Sequence, residues 1–271
     1  MRFKIKLVFK GNFPFIIPIN YQYPLSAWIY KTIHSGNNEF ASWLHEKGYM
    51  DNKRQYKLFS FSQLDIDKFS TDKDRLIINN PEATLLINFV AQQAAEPFIK
   101  GLFQQKHGSI GDKASQADFT ISQIEKMPDP TFTDHMVFNS LSPIVVSKTP
   151  EDRTLAPIYL HPEDSEFARI LKENLINKST AWMMSEAGAG TTIPFGQTNE
   201  FDLQLLSKPK PRLITIKANT PQQTKVRGYM MKFRLQAPAP LLQMGYHAGF
   251  GEKNSLGFGC VGVAENKTNI E

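Results

Sequence analysis

The 271-residue chain has a single cysteine, Cys260, so no disulfide can close within it and no cysteine cluster can hold zinc. Histidine is also scarce, and neither the six histidines nor the carboxylates are spaced like metal ligands. Any hydrolytic or transfer chemistry is therefore expected to run without a metal, and no cofactor is implied. No charged-then-apolar segment opens the chain, and no uncharged run approaches the ~20 residues of a membrane span. A soluble, cytoplasmic protein is expected. The charge excess is modest, with 31 Lys and Arg against 26 Asp and Glu and a pI near 9.1. That balance suits a phosphate-bearing partner without requiring one. With 41% hydrophobic residues, the length is enough for two domains that each bury a core.

Glycine is concentrated near the C-terminus, where five of the sixteen residues from Gly245 to Cys260 are glycine. Such a stretch permits φ > 0 and lets backbone amides converge on an anion, phosphate above all. Two familiar phosphate loops do not fit. Lys253 follows Glu252 and precedes Asn254, which is not the Gly-Lys-Ser/Thr order of a Walker loop. A dinucleotide fingerprint would follow an early strand and open a helix, whereas this loop precedes a closing strand at Cys260, Val261 and Val263.

Along the chain, Phe3, Ile5, Leu7 and Phe9 alternate with Arg2, Lys4, Lys6 and Val8, which predicts a half-buried strand with a basic outer face. From Pro24, Leu25, Trp28, Ile29 and Ile33 mark a helix, broken around Gly36. Phe40, Trp43 and Leu44 mark a second, with Gly48 placed past its end. Strands are expected at 56–61 and 75–79. Asn80 and Pro81 read as the cap and first residue of a helix through Leu85, Leu86, Phe89 and Val90, which Pro97 should bend or end. One more strand is expected at Phe119, Ile121 and Ile124. This order is the ferredoxin-like unit. After a Pro-rich linker the order restarts: a strand over 136–146, a helix from about Pro162, strands at 201–206 and 213–217, a long strand from Val226 to Leu235, a short helix at Leu241, Leu242 and Met244, and the closing strand. The expected fold is α+β, two tandem ferredoxin-like (RRM-like) domains, residues 1–127 and 128–271.

The run Gly-Phe-Gly-Glu-Lys-Asn-Ser-Leu-Gly-Phe-Gly, from Gly249 to Gly259, resembles the glycine-rich signature of the CRISPR repeat-processing endoribonucleases, the sixth Cas family of the repeat-associated RNA-binding superfamily. Phe138, Leu141, Ser142, Pro143 and Ile144, the basic run Lys208-Pro-Lys-Pro-Arg212, the opening Met1-Arg-Phe and the stretch 30–46 resemble other segments of that family, so the likeness covers nearly the whole chain. The resemblance implies the tandem fold, binding of CRISPR repeat RNA, and metal-independent cleavage within each repeat by attack of a ribose 2′-OH. The products would carry a 2′,3′-cyclic phosphate and a 5′-OH. It also places the catalytic set at Tyr30, which would help activate the 2′-OH, His45, which would protonate the leaving oxygen, and Lys57, which would stabilise the added negative charge. The segment between His45 and Lys57 is longer than the family's, and its Lys53 and Arg54 are rivals for the cationic role. His34, four residues after Tyr30 on the same helix face, is a rival acid. His107, His135, His161 and His247 show no partner pattern, although His247 lies beside the glycine loop.

For RNA binding, Lys225, Arg227, Lys232 and Arg234 fall along one predicted strand, and period two separates Lys232 and Arg234 from Met231, Phe233 and Leu235. With Lys208, Lys210, Arg212 and Lys253 they form a candidate backbone track. The glycine loop adds Gly249, Gly251, Asn254, Ser255, Gly257 and Gly259. Two other readings compete: a protein that holds repeat or guide RNA without cutting it, and a structural subunit of an interference complex. Subunits of such a complex are possible partners, as is a second copy of this chain.

Overall fold

A computed structural model describes residues 1–51, 54–152, 154–190 and 201–264. The first unit opens with β1 (Arg2–Lys10), followed by α1 (Gln22–Gly36), α2 (Asn38–Glu46), β2 (Phe59–Phe61), β3 (Glu82–Phe89), α3 (Gln92–Gln104), β4 (His107–Gly111) and β5 (Gln116–Met127). Its antiparallel sheet runs β2-β3-β1-β5-β4, the ferredoxin-like order with β4 added at one edge. The second unit contains β6 (His135–Ser140), α4 (Ser165–Met183), β7 (Asp202–Leu205), a hairpin of β8 (Lys210–Ile216) and β9 (Thr224–Met230), β10 (Lys232–Gln236), α5 (Ala239–Ala248) and β11 (Val261–Val263). Here the sheet order is β7-β10-β6-β11, the same arrangement with the hairpin inserted between the second and third strands. The chain is thus two tandem ferredoxin-like folds, as expected.

Three expectations are corrected. Residues 82–89 form a strand, not a helix. Leu85, Leu86, Phe89 and Val90 satisfy helical spacing, but Ala83, Leu85, Ile87 and Phe89 satisfy period two, and these are the side chains buried beneath the sheet. The Asn80 side chain accepts a hydrogen bond from the Glu82 amide at 3.0 Å, so the capping chemistry serves a turn that starts the strand. The helix follows, and Pro97 sits inside it. Proline costs one backbone bond there, yet α3 continues because it packs backbone to backbone on α1. A Cβ on Gly101 would fall 1.9 Å from the Thr32 carbonyl oxygen, and one on Gly36 would fall 1.9 Å from that of Pro97.

The long strand expected from Val226 to Leu235 is two strands in two different sheets. At Met231 the carbonyl accepts from the Ser140 backbone amide at 3.0 Å, and the Ser140 hydroxyl serves the Met231 amide as well. It accepts from the Met231 amide at 3.1 Å and donates to the Met231 carbonyl at 3.0 Å, so neither backbone group is left bare where the chain changes sheets.

The basic outer face of β1 does not include Arg2, which is only 5% exposed. Its Nε donates to the Asn88 side chain at 2.6 Å, Nη2 donates to the Val261 carbonyl, and the guanidinium lies 3.8 Å from the centre of the Tyr246 ring. Arg2 therefore fastens the first sheet to the second unit. His247, on α5, completes this seam: Nδ1 lies 3.1 Å from the Met1 amine and Nε2 lies 3.4 Å from Asp129. It packs against Phe132 and Tyr246 rather than toward a ligand.

Burial, with the neighbouring amine, lowers the His247 pKa from 6.5 to about 4, Asp129 opposing. The unfolded imidazole binds a proton between about pH 6.5 and 4 that the folded site refuses, so stability falls as pH drops through that window. His247→Gln should flatten this part of the curve, as read by denaturant unfolding at a series of pH values in both proteins.

Candidate active site

Helices α1 and α2 meet at the break around Asn37, whose side chain caps α2 by accepting from the Phe40 amide at 2.9 Å. The crossing brings Tyr30 and His45 together edge to face, with ring centroids 5.6 Å apart, and Phe59 supports Tyr30 from below at 5.5 Å. Tyr30 is half-buried and His45 exposed. Both line a shallow groove of about 300 Å³ that also takes in His34, so His34 stays within reach of whatever the groove binds. Burial pushes the Tyr30 phenol up to about 12 against an opposing hydrogen bond from Ser255, which keeps it a neutral O–H group near pH 7.

Lys57 reaches the same place from the following segment. Its Nζ donates to the His45 carbonyl at 2.7 Å, which sets a cation on the C-terminal end of α2 and satisfies one of its free carbonyls. Burial lowers the Lys57 pKa. The three residues expected from the family resemblance are thus contiguous. Arg54 is exposed and lines the same cleft as Lys57, while Lys53 lies outside the described residues. This cleft, about 700 Å³ between the two units, continues to the glycine loop and is lined by Lys148, Arg169, Lys253 and Ser255 among others.

Several amides of the glycine loop are used within the fold rather than offered to a ligand. The amides of Gly249, Phe250, Glu252, Gly257 and Gly259 donate to the carbonyls of Gly245, Gly259, Val145, Asn254 and Pro143. Its glycines instead allow close packing at positive φ. A Cβ on Gly249 or Gly259 would fall 2.5 Å from the Asn254 amide nitrogen, which is held between them, and one on Gly251 would fall 2.2 Å from the Val145 carbonyl oxygen. Gly257 lies against Phe61, in the first unit, with 2.9 Å available. Asn254 is buried, and the side chains left partly open are those of Glu252, Lys253, Ser255 and Leu256.

Sequence reasoning missed Lys178. This lysine of α4 is 2% exposed, and its Nζ donates to the carbonyls of Gly249 and Gly251 at 2.6 and 2.7 Å and to the Asn254 side-chain oxygen at 2.7 Å. Burial lowers its pKa from 10.5 to about 7, with Glu252 opposing. Three acceptors call for all three N–H groups of the ammonium. The signal was present in the sequence: Phe167, Leu171 and Leu175 form the apolar stripe of α4, and position 178 continues it.

The proposed basic track is divided. Arg227, with Lys225, lies on β9, whereas Lys232 and Arg234 lie on β10, beyond the sheet change. Within the hairpin, β8 pairs Arg212 with Gly228 and Leu213 with Arg227, so Arg212 and Arg227 point to opposite faces. Lys208 precedes β8 and Lys210 begins it; all seven cations are exposed, and Arg234 donates to Gln204 at 2.7 Å.

Fold and site together define a tandem ferredoxin-like protein with a Tyr-His-Lys group near the junction of its units. The family model for CRISPR-associated protein Cas6, N-terminal, matches residues 16–125, and that for CRISPR associated protein Cas6, C-terminal, matches residues 125–263. The chain is 30% identical to "CRISPR-associated endoribonuclease Cas6 1" of Methanocaldococcus jannaschii, over 98% of this chain and 94% of that one. It is 31% identical to "CRISPR-associated endoribonuclease Cas6" of Pyrococcus furiosus, over 100% and 93%. A solved structure described as a Cas6-related gene product of Pyrococcus furiosus superposes with a TM-score of 0.80 at 25% identity, covering 98% of this chain and 99% of that one. The chain belongs to the Cas6 family.

Because Gly251 packs against Val145 at φ 70°, Gly251→Ala is expected to cost about 1–3 kcal/mol of stability through strain and overpacking. A melting temperature equal to that of the parent would show that the glycine is not required for this contact.

Proposed function

We propose that this chain is an endoribonuclease that binds CRISPR repeat RNA and cuts precursor transcripts within each repeat, without a metal, using Tyr30, His45 and Lys57. Membership of the Cas6 family supplies the enzyme class. The observation that carries the assignment of residues is the convergence of three separate segments: the Tyr30 and His45 rings at 5.6 Å and the Lys57 ammonium 2.7 Å from the His45 carbonyl. In the proposed step the ribose 2′-oxygen attacks the adjacent phosphorus and the bond to the 5′-oxygen breaks, leaving a 2′,3′-cyclic phosphate and a 5′-OH. His45, exposed at the end of α2, gives its proton to the leaving oxygen. Lys57 offsets the charge that builds on the phosphate oxygens. The neutral Tyr30 hydroxyl helps activate the 2′-OH by orienting it through a hydrogen bond. The proton that the 2′-OH loses passes to water in the open groove, one proton released for the one that His45 gives up.

Residues 1–127 and 128–271 are the proposed domains, and their cleft receives the RNA. Lys253 contacts it from the loop that Gly249, Gly251, Asn254, Ser255, Gly257 and Gly259 shape, and Lys208, Lys210, Arg212, Arg227, Lys232 and Arg234 hold more distant phosphates. The enzyme would act in the cytoplasm and pass its product to subunits of an interference complex. A second copy of the chain is a further proposed partner, with Phe13 and Phe103, 63% and 65% exposed, as available apolar surface. Among the described residues no helix is long and apolar enough to cross a membrane.

The decisive test is incubation with the repeat RNA in EDTA beside the same RNA carrying one 2′-deoxy sugar at the cut site. Cleavage of the first alone is expected, and His45→Ala should slow it about 100- to 10,000-fold with affinity unchanged. Binding without cleavage of either would favour the non-catalytic reading.

Lys253→Ala and Arg234→Ala should each weaken binding and reduce the slope of log K against log salt by about one. Unchanged slopes in both would remove these cations from the RNA path.

A further inference from the structure

Ser255 is gripped twice by one turn of α1. The Ser26 hydroxyl donates to the Ser255 carbonyl at 2.6 Å, and four residues on, the Tyr30 phenol lies in hydrogen-bonding reach of the Ser255 side chain. Ser26 and Tyr30 share a helix face, so both contacts come from one rigid element. The second unit holds the other end. Ser255 follows Asn254, whose amide group donates to the carbonyls of Phe250 and Phe258 at 3.2 and 3.1 Å, and whose oxygen accepts from Lys178. Lys178 also fixes the Gly249 and Gly251 carbonyls. Hydrogen bonds therefore tie the C-terminal half of α4 to Asn254 and the glycine loop, and the next residue, Ser255, is held against α1 by Ser26 with its side chain beside the Tyr30 phenol.

We infer that Ser255 is a positioning residue for Tyr30, and that Lys178 holds the glycine loop so that Ser255 meets the phenol in the orientation cleavage needs. This rests on the proposed catalytic part of Tyr30 and deepens it. Tyr30 has its ring packed on Phe59 and His45, which fixes the plane of the phenol but not the rotation of its O–H. A hydroxyl partner removes that freedom and directs the O–H or its lone pair toward the reacting ribose. The glycine signature is then a device by which the second unit sets the catalytic geometry of the first, with its contact to RNA a separate matter.

The test is a double-mutant cycle in single-turnover cleavage with the full chain and the repeat RNA, with affinity measured separately. Tyr30→Phe and Ser255→Ala should each slow cleavage, Ser255→Ala by about tenfold, the scale of one lost hydrogen bond, with affinity unchanged. Together they should be no slower than Tyr30→Phe alone, because Ser255 acts only through that hydroxyl. Ser255→Thr, which keeps the hydroxyl, should restore most of the rate. Lys178→Met should lower the rate in the same step; if it fails to fold, the Ser255 cycle decides by itself. Multiplicative effects of the two substitutions, or a weaker affinity with an unchanged rate for Ser255→Ala, would overturn the inference and leave Tyr30 in place. Full activity of Tyr30→Phe would overturn both it and the proposed use of Tyr30, whereas a parent protein that does not cleave would remove the enzymatic reading altogether.

Discussion

A single buried ammonium organises the region on which the proposed chemistry depends. Lys178 gives up hydration to sit beneath the glycine loop, and it is retained there because two carbonyls and an amide oxygen meet it at 2.6–2.7 Å. Removing water from such a group is costly unless every donor is satisfied, so the ammonium and the loop are mutually dependent. The loop in turn needs glycine where its backbone touches Val145 and the Asn254 side chain. The helix, the lysine and the loop form one unit in which no part keeps its place without the others.

That unit would matter less if it did not reach the other half of the molecule. Ser255 meets Ser26 and Tyr30, Gly257 meets Phe61, and Arg2 and His247 close the seam at the far end of the first sheet. The groove with Tyr30 and His45 is lined by the first unit alone, and the second unit reaches it through Ser255, beside the Tyr30 phenol. Cleavage at the proposed site would draw on both ferredoxin-like halves, which gives a physical reason for a tandem arrangement.

Much of this was legible in the chain. Alternation in β1, the helical stripes of α1, α4 and α5, and the order of elements are local patterns set by which side chains face a core. Misreadings arose where two periodicities fit one segment. Residues 82–90 carry apolar side chains at helical and strand spacing alike, and only pairing with β1 and β2 selects the strand. The span 226–235 is uniformly strand-like, and nothing local announces that its halves join different sheets at Met231. Similarly, composition cannot reveal that the amides of Gly249, Gly257 and Gly259 are bonded within the fold.

The sequence by itself determined the two repeated α+β units, the absence of disulfide chemistry, and the presence of a tyrosine, a histidine and a lysine in three nearby segments. Only the tertiary structure decided that the Tyr30 and His45 rings meet and Lys57 reaches the His45 carbonyl, that Lys178 is inside while the basic track is spread over separate strands and faces, and that Ser255 lies beside Tyr30. The physical reason is range. Periodicity and turn chemistry act over a few residues, whereas the contact between Lys178 and Gly249 spans 71 positions and that between Ser26 and Ser255 spans 229, distances closed only when both cores have formed.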